Sequence, residues 1–162
     1  MKILFVCTGN TGRSVMAENI MRKQTESNED PFIREIEIAS AGTNANEGEA
    51  VEEGAIEVMR ARGITPRKHS ATQVTTPLID RFDLILAMET KQRQSLIKNY
   101  NAKPDSVLLL TEFAGDQGEI EDCWGHEKDA YSRCMDKLES LIDKTIVKIS
   151  KSHEKSKEWS LR

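Results

Sequence analysis

Apolar residues are gathered into short unbroken runs, set apart by longer stretches where they recur every three to four positions. Ile3-Leu4-Phe5-Val6 is apolar at every position, the pattern of a strand buried on both faces. Ile36–Ser40, closed by Ala41-Gly42, predicts a second strand, Phe82–Met88 a third and Val107–Leu110 a fourth. The intervening segments read as helices. Ser14 to about Thr25 is ended by the polar run Glu26-Ser27-Asn28-Glu29-Asp30-Pro31. Gly48–Arg62 carries Val51, Ala55, Val58 and Met59 on one face, with Gly63 as its stop. Glu89–Tyr100 is the next helix, Gly115–Gly125 a long polar loop, and His126 to about Ser150 a long terminal helix. On that helix Tyr131, Cys134, Leu138 and Leu141 fall on one core-facing stripe. Residues 151–162 are charged and read as a frayed tail.

Strand and helix alternate, which predicts an α/β three-layer sandwich over residues 1–150, a four-stranded parallel sheet with helices on both faces. Ligands of such sheets sit at the carboxyl ends of strands, near a switch in strand order. Cys7 lies at such an end.

Composition narrows the class. With 162 residues, 38% hydrophobic and 31% charged, the chain has enough apolar material for one normal core. A formal net charge of −4 speaks against nucleic acid as the main partner. No apolar run is long enough to span a bilayer, and no leader pattern precedes the first strand. The three cysteines are unevenly spaced, which fits a reducing, cytoplasmic compartment better than a disulfide framework.

The chemistry is concentrated in Cys7-Thr8-Gly9-Asn10-Thr11-Gly12-Arg13-Ser14. A short loop from a strand into a helix N-terminus turns its backbone N–H groups inward, and such a nest binds a tetrahedral oxyanion. Gly9 and Gly12 permit angles that a side chain would resist, and Asn10 tolerates the left-handed region and can brace the loop. Arg13 offers a planar fork for two phosphate oxygens. The same positive field favours a thiolate, the nucleophilic form of cysteine, and Ser14 is placed to donate to it. Neither G-x-x-x-x-G-K-[ST] nor G-x-G-x-x-G is present.

This stretch, followed by Met16-Ala17-Glu18, resembles the low-molecular-weight protein-tyrosine phosphatase family. Ser40-Ala41-Gly42 is similar to that family's second-strand ending, Phe82–Met88 to its third strand, and Asp122-Cys123-Trp124-Gly125 to its general-acid loop. The resemblance spans residues 1–150 and implies hydrolysis of a phosphomonoester or phosphoramidate without metal or cofactor. It implies Cys7 as the nucleophile that forms a thiophosphate, Arg13 and the loop residues Thr8–Ser14 as the phosphate cradle, and Asp122 as general acid and then base. Cys7 ionised and Asp122 protonated imply a bell-shaped pH–rate profile on the acid side of neutral. Asn10, Ser14 and Ser40 support the loop, with His69 a candidate for the same network, and Trp124 walls the cleft. The implied partners are phosphorylated proteins, with inorganic phosphate as product and competitive inhibitor.

The chain departs from the family pattern in three places. Gly12 stands where a second cysteine is common, which removes a route for rescuing an oxidised nucleophile. Val15 replaces the proline after Arg-Ser, and Cys123 replaces the proline after the acid. Thr11 bears on the substrate: phosphotyrosine phosphatases carry a larger aliphatic residue there, and threonine resembles the subset acting on phosphoarginine. The resemblance leaves both substrates open. An arsenate reductase on the same fold would need cysteines at the end of the third strand, where Ala87 and Met88 stand. A non-catalytic phosphoprotein-binding module would keep the cradle without turnover.

Overall fold

The computed structural model describes residues 1–125 and 128–160. Four parallel strands form one sheet: β1 (Lys2–Cys7), β2 (Glu37–Gly42), β3 (Leu84–Ala87) and β4 (Val107–Leu109). Their spatial order is β2-β1-β3-β4. The chain leaves β1 toward one side, pairs β2 there in the register Cys7↔Gly42, then crosses back to place β3 on the other side in the register Val6↔Ala87. That reversal opens a crevice beyond the carboxyl end of β1, where Cys7 sits.

The helices cover both faces, because alternate strand residues point opposite ways. Ile3, Phe5 and Cys7 join Leu84, Leu86 and Met88 in one apolar cluster, packed against α1 (Arg13–Glu26), α3 (Glu53–Ala61) and α7 (Lys128–Ser160). Leu4, Val6, Ile85 and Ala87 face the other layer, built around α4 (Thr76–Ile79) and α5 (Thr90–Tyr100). Phe5 is wholly buried, and burying an aromatic ring of that size is worth roughly 1.5–3 kcal/mol. Short α2 (Pro31–Arg34) and α6 (Leu110–Ala114) complete the chain. The three-layer parallel architecture is the one the alternation predicts.

Several boundaries differ from the sequence expectation, each for a visible reason. The helix expected from Gly48 begins at Glu53. Residues 43–52 instead run alongside the Cys7 loop: Asn44 N–H donates to the Thr8 carbonyl at 2.9 Å and Glu52 N–H to the Thr11 carbonyl at 2.9 Å. These loop contacts, with Gly48 N–H donating to the Ala71 carbonyl at 3.0 Å, take up backbone donors that a helix from Gly48 would use. The strand expected to Leu110 stops at Leu109, whose N–H donates to the Glu112 side chain at 3.3 Å and starts α6. The polar run after α1 contains a helix start of its own, since Asp30 caps Phe32 N–H at 3.0 Å with Pro31 in the first turn.

The terminal helix continues through the segment expected to fray. Residues 151–160 hold good helix formers, and His153 stacks on Phe32 of α2, centroids 3.7 Å apart and planes within 3°. His126, at the expected start of this helix, lies outside the described residues.

Candidate active site

The loop between β1 and α1 is built on Asn10. Its φ of 57° is in the left-handed region, which asparagine tolerates. The side chain is fully buried and uses its whole amide: Nδ2 donates to Ser14 Oγ at 2.9 Å and Ser40 Oγ at 3.0 Å, and Oδ1 accepts from Thr72 N–H at 2.9 Å. Its carbonyl accepts from His69 Nε2 at 2.7 Å, and Ser40 Oγ donates onward to Glu18 at 2.6 Å. Gly42, at the end of β2, lets the loop lie against the sheet edge; a Cβ there would stand 2.4 Å from the Thr8 carbonyl oxygen.

This bracing aims donors at the nucleophile. Asn10 N–H donates to Cys7 Sγ at 3.3 Å. Ser14 Oγ, 3.0 Å from the sulfur, already accepts from Asn10, which leaves its own proton for Cys7. Two donors on one sulfur are the complement of a thiolate. Gly12 is the N-cap of α1 and no side chain caps that helix, so its first N–H groups remain available to an oxyanion.

Arg13 opens α1 and is almost wholly buried. Nη1 donates to the Ile120 carbonyl at 2.8 Å and pairs with Glu89 at 3.1 Å; Nη2 pairs with Asp122 at 3.2 Å. Burial by itself would lower the Arg13 pKa, but the charges of Cys7, Asp122 and Glu89 outweigh it and hold the value above the ordinary one. The fork is thus oriented before any ligand arrives.

Asp122 comes from the loop before α7. Its side chain is half exposed, with Oδ1 accepting from Trp124 N–H at 3.2 Å and Oδ2 turned to Arg13. Together these groups surround a cleft of about 380 Å³. Cys7, Thr8, Gly9, Thr11, Gly12 and Arg13 line one part of it, while Asp122 and an exposed Trp124 form the facing wall. Asn10, Ser14 and Ser40 stand behind the loop, out of the cleft. Cys123, next to the acid, is buried in the apolar layer. The neighbouring Cys134 thiol, together with burial, raises the Cys123 pKa far above the ordinary thiol range. All three cysteines are free.

Residues outside the Cys7 loop and the acid loop also enter the site. Glu89, directly after β3, pairs with Arg13. Gln92 accepts from Met88 and Glu89 N–H groups at 3.0 Å and donates to Thr8 Oγ1 at 3.1 Å. The pair Glu89-x-x-Gln92 at a strand-to-helix junction is a capping-box pattern, and it was legible. Glu52 accepts from Thr11 Oγ1 at 2.7 Å, a contact without any such signature. Among the described residues no group of three or more His, Cys, Asp or Glu is placed to hold a metal ion.

A strand-end cysteine cradled by a helix N-terminus and facing an oriented arginine is the arrangement of a phosphate-transferring thiol enzyme. Residues 2–155 match the family described as low molecular weight phosphotyrosine protein phosphatase. The chain belongs to this family. It is 32% identical to a probable low molecular weight protein-tyrosine-phosphatase of Ralstonia nicotianae, over 91% of this chain and 94% of that one. It is likewise 32% identical to a protein-arginine-phosphatase of Geobacillus stearothermophilus, over 91% of this chain and 95% of the relative. A low molecular weight protein tyrosine phosphatase from T. tengcongensis superimposes with a TM-score of 0.85 at 36% identity, covering 91% of this chain and 99% of that one. The sheet order and layers are those of the family fold, and the protein is a cysteine-dependent protein phosphatase of this family.

Proposed function

We propose that the protein removes phosphoryl groups from phosphorylated protein side chains, with phosphoarginine as the preferred substrate. The carrying observation is the Cys7 sulfur in the cleft, held by two donors and faced by the Arg13 fork and Asp122. Cys7 attacks phosphorus in line, so that an S–P bond forms as the bond to the leaving oxygen or nitrogen breaks. Arg13 and the uncapped start of α1 hold the charge on the equatorial oxygens. Asp122 gives its proton to the leaving atom, then takes one from the water that attacks the cysteinyl phosphate. The products are inorganic phosphate and the regenerated thiolate, and phosphate competes for the emptied cradle.

Three observations support phosphoarginine. Thr11 places a hydroxyl in the cleft lining, the lining is polar on that side, and one of the relatives is a protein-arginine-phosphatase. A second reading, phosphotyrosine, is favoured by the exposed Trp124, which offers a flat apolar wall to a phenol ring. The free cysteines and the thiolate chemistry suit a cytoplasmic location. Among the described residues no helix is long and apolar enough to cross a membrane.

Two measurements test this. Cys7→Ser should abolish turnover of a small aryl phosphate; retained turnover would remove Cys7 from the mechanism, and a wild type that binds phosphopeptides without hydrolysing them would be a binding module. Paired phosphoarginine and phosphotyrosine peptides of one sequence should show higher kcat/KM for phosphoarginine, with Thr11→Ile reversing the order. A wild type that prefers phosphotyrosine makes Thr11 incidental and Trp124 the residue to test next.

A further inference from the structure

Thr11 does not act alone. Its hydroxyl has one proton, and that proton is given to Glu52 Oε1 at 2.7 Å. Toward the cleft the Thr11 oxygen is therefore left with lone pairs only. The second oxygen of Glu52 accepts from the Tyr131 hydroxyl at 2.6 Å, and the Glu52 N–H donates to the Thr11 carbonyl at 2.9 Å. Glu52 is thus clamped by Tyr131 of α7 on one carboxylate oxygen and tied to Thr11 through the other oxygen and through its own backbone N–H. Burial and then the bond to Glu52 push the Tyr131 phenol above its ordinary pKa, so it stays a donor.

Gly12 makes the arrangement possible. A Cβ on residue 12 would stand 2.9 Å from Glu52 Oε2, so the carboxylate occupies the space that a side chain there would take. Glu52 also lines the cleft itself. A fixed negative group beside a phosphate cradle disfavours an ordinary phosphate monoester dianion. It suits a leaving group that is cationic and rich in N–H donors.

We infer that Glu52 is a specificity-determining positioning residue, which holds Thr11 as a pure hydrogen-bond acceptor and selects substrates whose leaving group is a guanidinium. A phenolic ester has no donor for that acceptor, whereas each phosphoarginine guanidinium has several. The inference rests on the phosphoarginine reading above.

The test is a double-mutant cycle on Thr11→Val and Glu52→Gln, with kcat/KM measured on phosphoarginine and phosphotyrosine peptides of one sequence. Glu52→Gln keeps the shape and removes the charge. It should lower the phosphoarginine-to-phosphotyrosine ratio by roughly 10–100-fold, the range of one charge-assisted hydrogen bond. In the Thr11→Val background the same change should have a smaller effect, because the oriented hydroxyl is gone and only the charge of Glu52 beside the cleft is left to act. Glu52→Asp should restore part of the ratio. An unchanged ratio, or equal losses on both peptides, would overturn the inference, the latter marking a structural brace only. The wild-type ratio by itself tests the substrate reading, while the shift between wild type and Glu52→Gln tests Glu52 whichever peptide the wild type prefers.

Discussion

Replacing Asn10 with alanine removes three buried side-chain hydrogen bonds, to Ser14, Ser40 and Thr72, without altering the surface. At about 1 kcal/mol for each neutral bond the loss is about 3 kcal/mol. Alanine must also be held at the φ of 57° seen for Asn10, which adds about 1 kcal/mol. The expected destabilisation is therefore about 4 kcal/mol, a large share of the roughly 5–15 kcal/mol by which such domains are stable. Asn10→Gly loses the same bonds but fits the left-handed region, so it should be more stable than Asn10→Ala by about 1 kcal/mol. Urea unfolding of the three proteins measures both differences, and the change in midpoint at constant slope gives the free energy. In both variants the freed loop should lower kcat/KM on an aryl phosphate by about 100-fold, the effect of misplacing a reacting group by about 1 Å. A loss below about 1 kcal/mol for Asn10→Ala, with activity unchanged, would refute the view that this one amide holds the cradle.

Asp122→Asn should reduce kcat by roughly 10²–10⁴-fold for a substrate with a basic leaving group, and by much less for an activated aryl phosphate that leaves without a proton; equal losses on both would exclude the general-acid role. Tyr131 gives a pH signature. Its pKa is raised in the folded protein, so its contribution to stability is complete below the unfolded value of about 10 and is lost as pH rises above it. Denaturation midpoints across alkaline pH should therefore fall more steeply in wild type than in Tyr131→Phe, and parallel curves would contradict this. His153→Ala removes the stack on Phe32 and should weaken the end of α7 by about 0.5–1.5 kcal/mol, read as faster amide exchange in residues 150–157 with no change in kcat; unchanged exchange would mean the stack holds nothing in place.

The four strands, the loop from Cys7 to Ser14 and the parallel sandwich were legible in the sequence by itself, because each is a local matter. An apolar run such as Ile3–Val6 is buried on both faces in almost any context, and a strand-loop-helix junction carrying cysteine, glycines and arginine has few other chemical uses. Contacts between distant segments were not legible. Glu89 reaching Arg13, Thr72 reaching Asn10, and Tyr131 with Thr11 meeting on Glu52 join residues far apart in the chain, and only the parallel crossovers bring them to one sheet edge. Helix limits were decided the same way. Residues 48–52 have helical spacing, yet Gly48 N–H donates to the Ala71 carbonyl and Glu52 N–H to the Thr11 carbonyl of the Cys7 loop, and residues 151–160 stay helical with His153 stacked on Phe32. Periodicity records which side chains prefer burial; where a backbone N–H finds its acceptor, and which charge stands beside which, is settled only when the chain is packed.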